Sequence, residues 1–467
     1  MTRSQSPNEN RYRLLLVMSA CFACIALDNS KLVAALPALA RSGNAGPLVE
    51  RWIVEASLLV YASLLLLGGS LSERFGARRV LLFGLSLFAG ASLLGAFVGW
   101  GYGLIAARAC IGLSTACVTP ATLATLKHSF DDRERPTAIA VWTASFSVGA
   151  ALGPVLAGLL VRGGPGAVLS ANLPALALCI WGSVRLVPAD LPRRDQPLDF
   201  RGAALCLAAA AGGLFAVLSG PSQGFFSPSV VSSAAFAVIC TFAARSWLRR
   251  APQPLLDVSL FATPRFRRAL LLIFLGYFAF SGVSFVLAQY LQLGRAKGAL
   301  HSGLMALPLT GSMLLGTLLA PKLIVRLRAE RALGASLSAA LVGATLLACA
   351  SYVHDDVLLC IALIPFGAGS GSAFANATEL ILGSVSRERA ATAAAVSESA
   401  FEFGGVLGIA VLSSLLGNSG LSQAGLAALA PRALGVAALA VFFACWLAQR
   451  LAHTETARTT PSACSDP

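Results

Sequence analysis

Residues 69–79 read G-S-L-S-E-R-F-G-A-R-R. One apolar block, 51–70, runs into this stretch and another, 78–98, leaves it. A bilayer core takes about 20 apolar residues to cross as a helix. The stretch therefore reads as a short charged turn between two membrane spans. Gly69 and Gly76 are expected to allow tight helix ends and a sharp turn. Glu73, Arg74, Arg78 and Arg79 are expected to pair with one another and with neighbouring helix ends. Outward from this turn the alternation repeats. Fourteen apolar blocks follow one another between short polar breaks, the first over 13–36 and the last over 431–451. Ala and Gly dilute the blocks over 201–219 and 391–416.

Composition agrees. The chain has 467 residues, 57% hydrophobic and 12% charged, with a mean hydropathy of +0.76. A soluble protein carries about 25% charged residues. A soluble enzyme, a disordered chain and a disulfide-stapled domain are excluded. A membrane β-barrel is disfavoured, because the apolar residues come in long blocks and do not alternate. The fold class is an all-α membrane protein with fourteen transmembrane helices. The net charge of +14 suggests a nucleic-acid partner only superficially, since the basic residues are scattered in short clusters between spans. They sort by side instead. Arg41, Arg51, Arg162, Arg295, Lys297 and Arg432 form the outer set, and Lys31 and Arg108 fall inside spans. The rest of the 35 Lys and Arg residues lie on the other side. Basic residues favour the cytoplasmic face, so both termini are expected there, in a bacterial inner membrane. The eleven cysteines include a Cys21-x-x-Cys24 pair, which reads as apolar helix filling.

Stretches rich in Pro and charge at 188–200 and 248–266 bracket the seventh and eighth spans. The expected division is an N-tail over 1–12, a six-helix bundle over 13–188 and a linker with two inserted helices over 189–266. A second six-helix bundle over 267–452 and a disordered tail over 453–467 complete it. Direct internal repetition is weak.

Three segments carry a family resemblance. The 69–79 turn resembles the signature loop of the major facilitator superfamily, with Glu73 where Asp is usual and Ala77 where Arg is common. In the fourth span, R-A-C-I-G-L-S-T-A from Arg108 to Ala116 is similar to the family's helix-4 pattern. Arg108, Gly112 and Ala116 match it, while Ile111 and Ser114 depart. In the fifth span, G-A-A-L-G-P-V-L-A-G from Gly149 to Gly158 resembles the antiporter signature of drug:proton exchangers through Gly149, Gly153, Pro154 and Gly158. Asn172-Leu173-Pro174, Asp199-Phe200-Arg201-Gly202, the S-L-F-A-T-P-R-F run and Gln289-Tyr290-Leu291-Gln292 resemble the fourteen-helix branch. The resemblance implies a major facilitator fold of two six-helix bundles plus two inserted helices. It also implies efflux, with Arg108 in proton coupling and the 69–79 turn a charge latch between the halves.

Acids within spans are costly and mark function by default. Asp28 lies in the first span, Glu55 in the second, and Glu398 and Glu402 in the thirteenth. The last two are four residues apart and share a helix face. The quartet resembles the acidic positions of exporters of quaternary ammonium compounds and cationic dyes. Glu55, about one turn inside its block, is expected to be the most exposed. Lys31, three residues after Asp28, is expected either to pair with it and disfavour bulky dications, or to reach the outer interface. Phe146, Tyr277, Phe280, Phe285, Tyr290 and Phe401 are candidates to line an apolar cavity. Gly367-x-Gly369-x-Gly371 reads as helix packing, since no Walker lysine accompanies it. The sequence thus predicts a non-enzymatic, proton-coupled exporter of amphipathic cations. It would have no cofactor or metal, and as partners a small-molecule substrate, protons and the lipid bilayer. A monomer is expected. A dedicated exporter of one natural product or metabolite, a self-resistance pump, stays open as the alternative.

Overall fold

The computed structural model describes residues 7–40, 47–98, 101–131, 134–188, 199–251, 254, 258–327, 329–382, 384, 390–416 and 423–459. Fourteen helices among them are long and apolar enough to cross a membrane. The first five crossings are α1 (Pro7–Ala40), α2 (Pro47–Phe75), α3 (Ala77–Val98), α4 (Tyr102–Ser129) and α5 (Arg135–Leu160). The sixth is broken into α6 (Gly164–Ser170) and α7 (Leu173–Leu186). Then come α8 (Phe200–Gln223), α9 (Pro228–Arg250) and α10 (Pro264–Gln289), which ends in a π-helical turn over Tyr290–Gly294. The last five are α11 (Ala299–Leu327), α12 (Ala329–Val353), α13 (Asp356–Leu382), α14 (Ala390–Leu415) and α15 (Gln423–Thr459).

Gly76 alone joins α2 to α3, at φ 93°, a left-handed conformation that glycine adopts without strain. Its N–H still bonds back to the Ser72 carbonyl at 3.1 Å. Gly69 plays a different part from the expected one. It lies inside α2, which runs on to Phe75. Its neighbour Gly68 sets the helix approach, because a Cβ there would lie 1.9 Å from the Ala116 carbonyl oxygen of α4. Among the described residues the first and last helices run further than expected. Described helix begins at Pro7, inside the stretch assigned to the N-tail. It continues through His453–Thr459, assigned to a disordered tail. An α-helix satisfies its own backbone hydrogen bonds, so it need not stop where its apolar residues do.

Between helices the contacts rest on small residues, as they must where lipid offers apolar side chains the same environment as a neighbouring helix. Gly112 meets the Ser57 carbonyl oxygen of α2, where an added Cβ would sit at 2.3 Å. Gly367 and Gly371 face Leu309 and Met313 of α11, and Gly369 faces Ala340 of α12. The 367–371 run is therefore a packing device between three helices.

Helices α1–α7 pack on one another, α10–α15 do the same, and the two groups meet along two seams, α5 with α11 and α2 with α14. The α8–α9 hairpin leans on the second seam. Leu214 and Leu218 of α8 join Leu59 of α2 and Val406 and Ala410 of α14 in one buried cluster. Asp199 ties the hairpin's foot together, accepting from the Gly202 N–H at 2.7 Å and the Trp247 indole N–H at 2.7 Å. Arg201 lies over the Trp247 ring, 5.2 Å from its centroid. This gives the Asp199–Gly202 motif a structural reason.

Candidate functional site

The break between α6 and α7 aims a side chain. Pro174 stands in the first turn of α7, where its missing N–H costs nothing. Asn172, in the break, is buried, and its amide donates to Asp28 Oδ1 at 3.1 Å. Lys31 Nζ approaches that same oxygen at 3.1 Å. Asp28 Oδ2 accepts from an Arg108 Nη1–H. Arg108 spends its other donors on Ser57 Oγ at 2.6 Å, the Ile53 carbonyl at 3.2 Å and Asn29 Oδ1 at 3.3 Å. Asp28, Lys31 and Arg108 are each at most 1% exposed. One carboxylate thus holds two cations between α1, α2, α4 and α7. Ions taken out of water are tolerated best when paired and hydrogen-bonded, and here three donors converge on the acid. The first of the two Lys31 expectations is the geometry found.

Gly149 and Gly153 let α5 close on the same helix. An added Cβ at Gly149 would sit 2.1 Å from the Ala23 carbonyl oxygen, and one at Gly153 would sit 1.8 Å from Ser30 Oγ. The next residues of the motif turn to the other half. Gly303 of α11 packs on the Pro154 carbonyl, and Gly158 packs on Leu300. The motif is a strap with one face on α1 and the other on α11.

Glu55 is fully buried, against the expectation that it is the most exposed acid. Two causes combine. α2 begins at Pro47, so Glu55 lies more than two turns inside it. The second seam also covers it, since Val54 packs with Phe285 and Ile409 of the other half. Neither carboxylate oxygen has a hydrogen-bond partner among the described residues. Arg51, four residues earlier, was expected in an outer loop. It is buried, and it donates to the Ser413 carbonyl of α14 at 3.2 Å. A second bond crosses the halves at this end, from Gln292 Nε2 to the Ala34 carbonyl at 2.6 Å. At the opposite end, described polar contacts run within each half. Arg78 donates to the Val184 carbonyl at 2.7 Å, Arg11 pairs with Asp131 at 3.3 Å, and Arg265 pairs with Glu330 at 2.5 Å. Glu73 is exposed. Arg74 lies over the Phe75 ring.

Glu398 and Glu402 stand one turn apart on α14, the first half-buried and the second buried. Both lie within electrostatic reach of Tyr61 on α2 and Tyr277 on α10. Tyr61 donates to Thr119 Oγ1 of α4 at 3.2 Å. Tyr277 stacks on Phe401 with centroids 3.5 Å apart, and Phe374 meets Phe401 edge-on at 5.0 Å. Phe280 extends the group, 5.8 Å from Tyr277. Gly405 makes room, since a Cβ there would lie 2.9 Å from the Tyr277 ring. Of the expected aromatic lining, Tyr277, Phe280 and Phe401 gather here. Phe146 packs on Phe22 in the first half. Phe285 and Tyr290 are buried in apolar clusters. Sequence reading singles out the Asn172-Leu173-Pro174 motif but not its contact with Asp28, and it misses Ser57, Tyr61 and Phe374, which carry no local signal.

Two packed halves around buried mid-span charges are the architecture expected of a membrane transporter. The Major Facilitator Superfamily model matches residues 18–409. The chain is 31% identical over 405 residues to the multidrug efflux pump LfrA of Mycolicibacterium smegmatis, covering 86% of this chain and 80% of that one. It is 30% identical over 413 residues to the methyl viologen resistance protein SmvA of Salmonella typhimurium, covering 87% and 82%. Among solved structures, the xylose transporter XylE of E. coli, in a partially occluded inward-open conformation, matches in fold alone. Its TM-score is 0.62 at 13% identity, over 92% of this chain and 97% of that one. This chain belongs to the major facilitator superfamily. It is a multi-pass membrane transporter of small molecules and not an enzyme.

Proposed function

We propose that this transporter exports amphipathic cations from the cytoplasm in exchange for protons. The observation that carries the reading is the Glu402–Glu398 pair set beside the Tyr277–Phe401–Phe374 aromatic group and facing Tyr61 across the two halves. An aromatic face attracts an organic cation, and more strongly once water is excluded. A carboxylate beside it supplies the counter-charge. The exchange then balances. A cation entering from the cytoplasmic side displaces the proton of a Glu402 or Glu398 carboxyl, and that proton leaves to the cytoplasm. After the halves rock, a proton from outside re-forms the O–H and releases the cation. Asp28, Arg108 and Lys31 form a fixed charged anchor on the opposite wall, and Glu55 lies buried in the seam that must part. The names of LfrA and SmvA support drug export.

In this reading the bundles span 13–188 and 267–452, with 189–266 inserted. Both termini are cytoplasmic, the membrane is the bacterial inner one, and a single chain is the working unit. The test is substrate-driven proton movement in inverted vesicles holding a pH-sensitive dye. Ethidium should move protons with the wild type and not with the double variant Glu398→Gln/Glu402→Gln. A well-inserted wild type that moves no protons with any cationic dye would shift the assignment to a dedicated pump for one neutral or anionic compound.

A further inference from the structure

Resting on that reading, we infer that Lys31 sets the charge limit of the substrate, so that single organic cations are carried and dications are refused. The groups acting on Asp28 are Arg108 and Lys31, and those acting on Lys31 are Asp28, Arg108 and the thiol of Cys24. With Lys31 as ammonium, the three charged groups sum to one excess positive charge, sealed from water. Three donors already face the carboxylate. Oδ1 already faces Asn172 and Lys31, and Oδ2 faces Arg108. The excess charge is close to the acid pair by way of α2. Ser57, which Arg108 holds, stands one helical turn from Tyr61, and Tyr61 lies in the field of Glu402 and Glu398. An anionic, aromatic wall from α10 and α14 therefore stands across from a buried cationic wall from α1 and α4. A ligand with one charge and an apolar remainder satisfies the first wall and keeps clear of the second. A rigid dication such as methyl viologen must bring its second charge toward the cationic wall. One unit charge roughly 10 Å away, at an effective dielectric of about 20, shifts binding about tenfold.

The experiment is equilibrium binding of ethidium and of methyl viologen to the purified full chain in detergent, read as the ratio of the two Kd values. In the wild type, ethidium should bind at least about tenfold more tightly. Lys31→Met should bring the ratio down about tenfold by strengthening dication binding, and Lys31→Arg should leave it near the wild-type value. Lys31→Gln, which removes the same charge and keeps an amide donor beside Asp28, should bring the ratio down equally. It decides the matter if Lys31→Met fails to fold. A folded Lys31→Met that binds ethidium with an unchanged ratio overturns the inference and leaves the export reading standing. So does a folded Lys31→Gln with an unchanged ratio. A folded wild type that binds neither cation overturns both.

Discussion

Two regions of the molecule hold buried acids, and they are built in opposite ways. Asp28 sits in a cage of donors, bonded to Arg108, Lys31 and Asn172. Glu402 and Glu398 sit beside aromatic rings and each other. A cluster of paired ions resists change, because removing the Asp28 carboxylate strands Arg108 and Lys31 as unpaired buried charges, at about 3–5 kcal/mol. A carboxyl without a bound cation can exchange its proton without unpicking a network. One region is a fastener and the other a carrier.

The comparison breaks most readily at Arg108. Arg108→Met leaves Ser57, Asn29 and the Ile53 carbonyl without their donor and should cost about 3–5 kcal/mol. Thermal unfolding in detergent should show a large drop in Tm. If Glu402→Gln drops it as far, the distinction between fastener and carrier is lost. That variant should instead keep the wild-type Tm and weaken proton exchange.

Next comes the strap. Gly153→Ala drives a methyl group against Ser30 and the Lys31 backbone, and overpacking of this kind costs typically about 1–3 kcal/mol. Transport should fall severalfold or more. Gly90, whose Cβ would meet nothing within 4 Å, is the control, and Gly90→Ala should transport like the wild type.

Smaller again is Gln292→Leu. One hydrogen bond between the halves is worth about 0.5–1.5 kcal/mol. Its loss should shift the balance toward opening at that end about two- to tenfold. Thiol labelling of a single cysteine placed there reads this directly, and an unchanged rate counts against Gln292 as a closure contact. Least affected should be Arg78→Ala. It removes a cation from the carboxyl end of α7, an effect of about 0.3–1 kcal/mol. A total loss of transport there would show that the turn does more than hold α7.

The sequence carried much of this, for physical reasons. Hydropathy blocks mark spans because each must bury or lipidate about 20 residues. The 69–79 turn was readable because Gly76 must be glycine at that φ. The Asp28–Lys31 pair follows from i,i+3 spacing on one helix. What stayed hidden depends on partners far along the chain. Arg108 meets Asp28 across 80 positions and Asn172 meets it across 144. Glu55 looked exposed because its cover comes from the other half, through Phe285 and Ile409. Gly68 and Gly69 differ only in which side of α2 meets α4.

The most direct test is proton release when ethidium is added to the purified, weakly buffered protein. The account predicts release by the wild type and none by the folded double variant Glu398→Gln/Glu402→Gln. Undiminished release by that variant would contradict it and put the exchanged proton elsewhere, with Glu55 the first place to look.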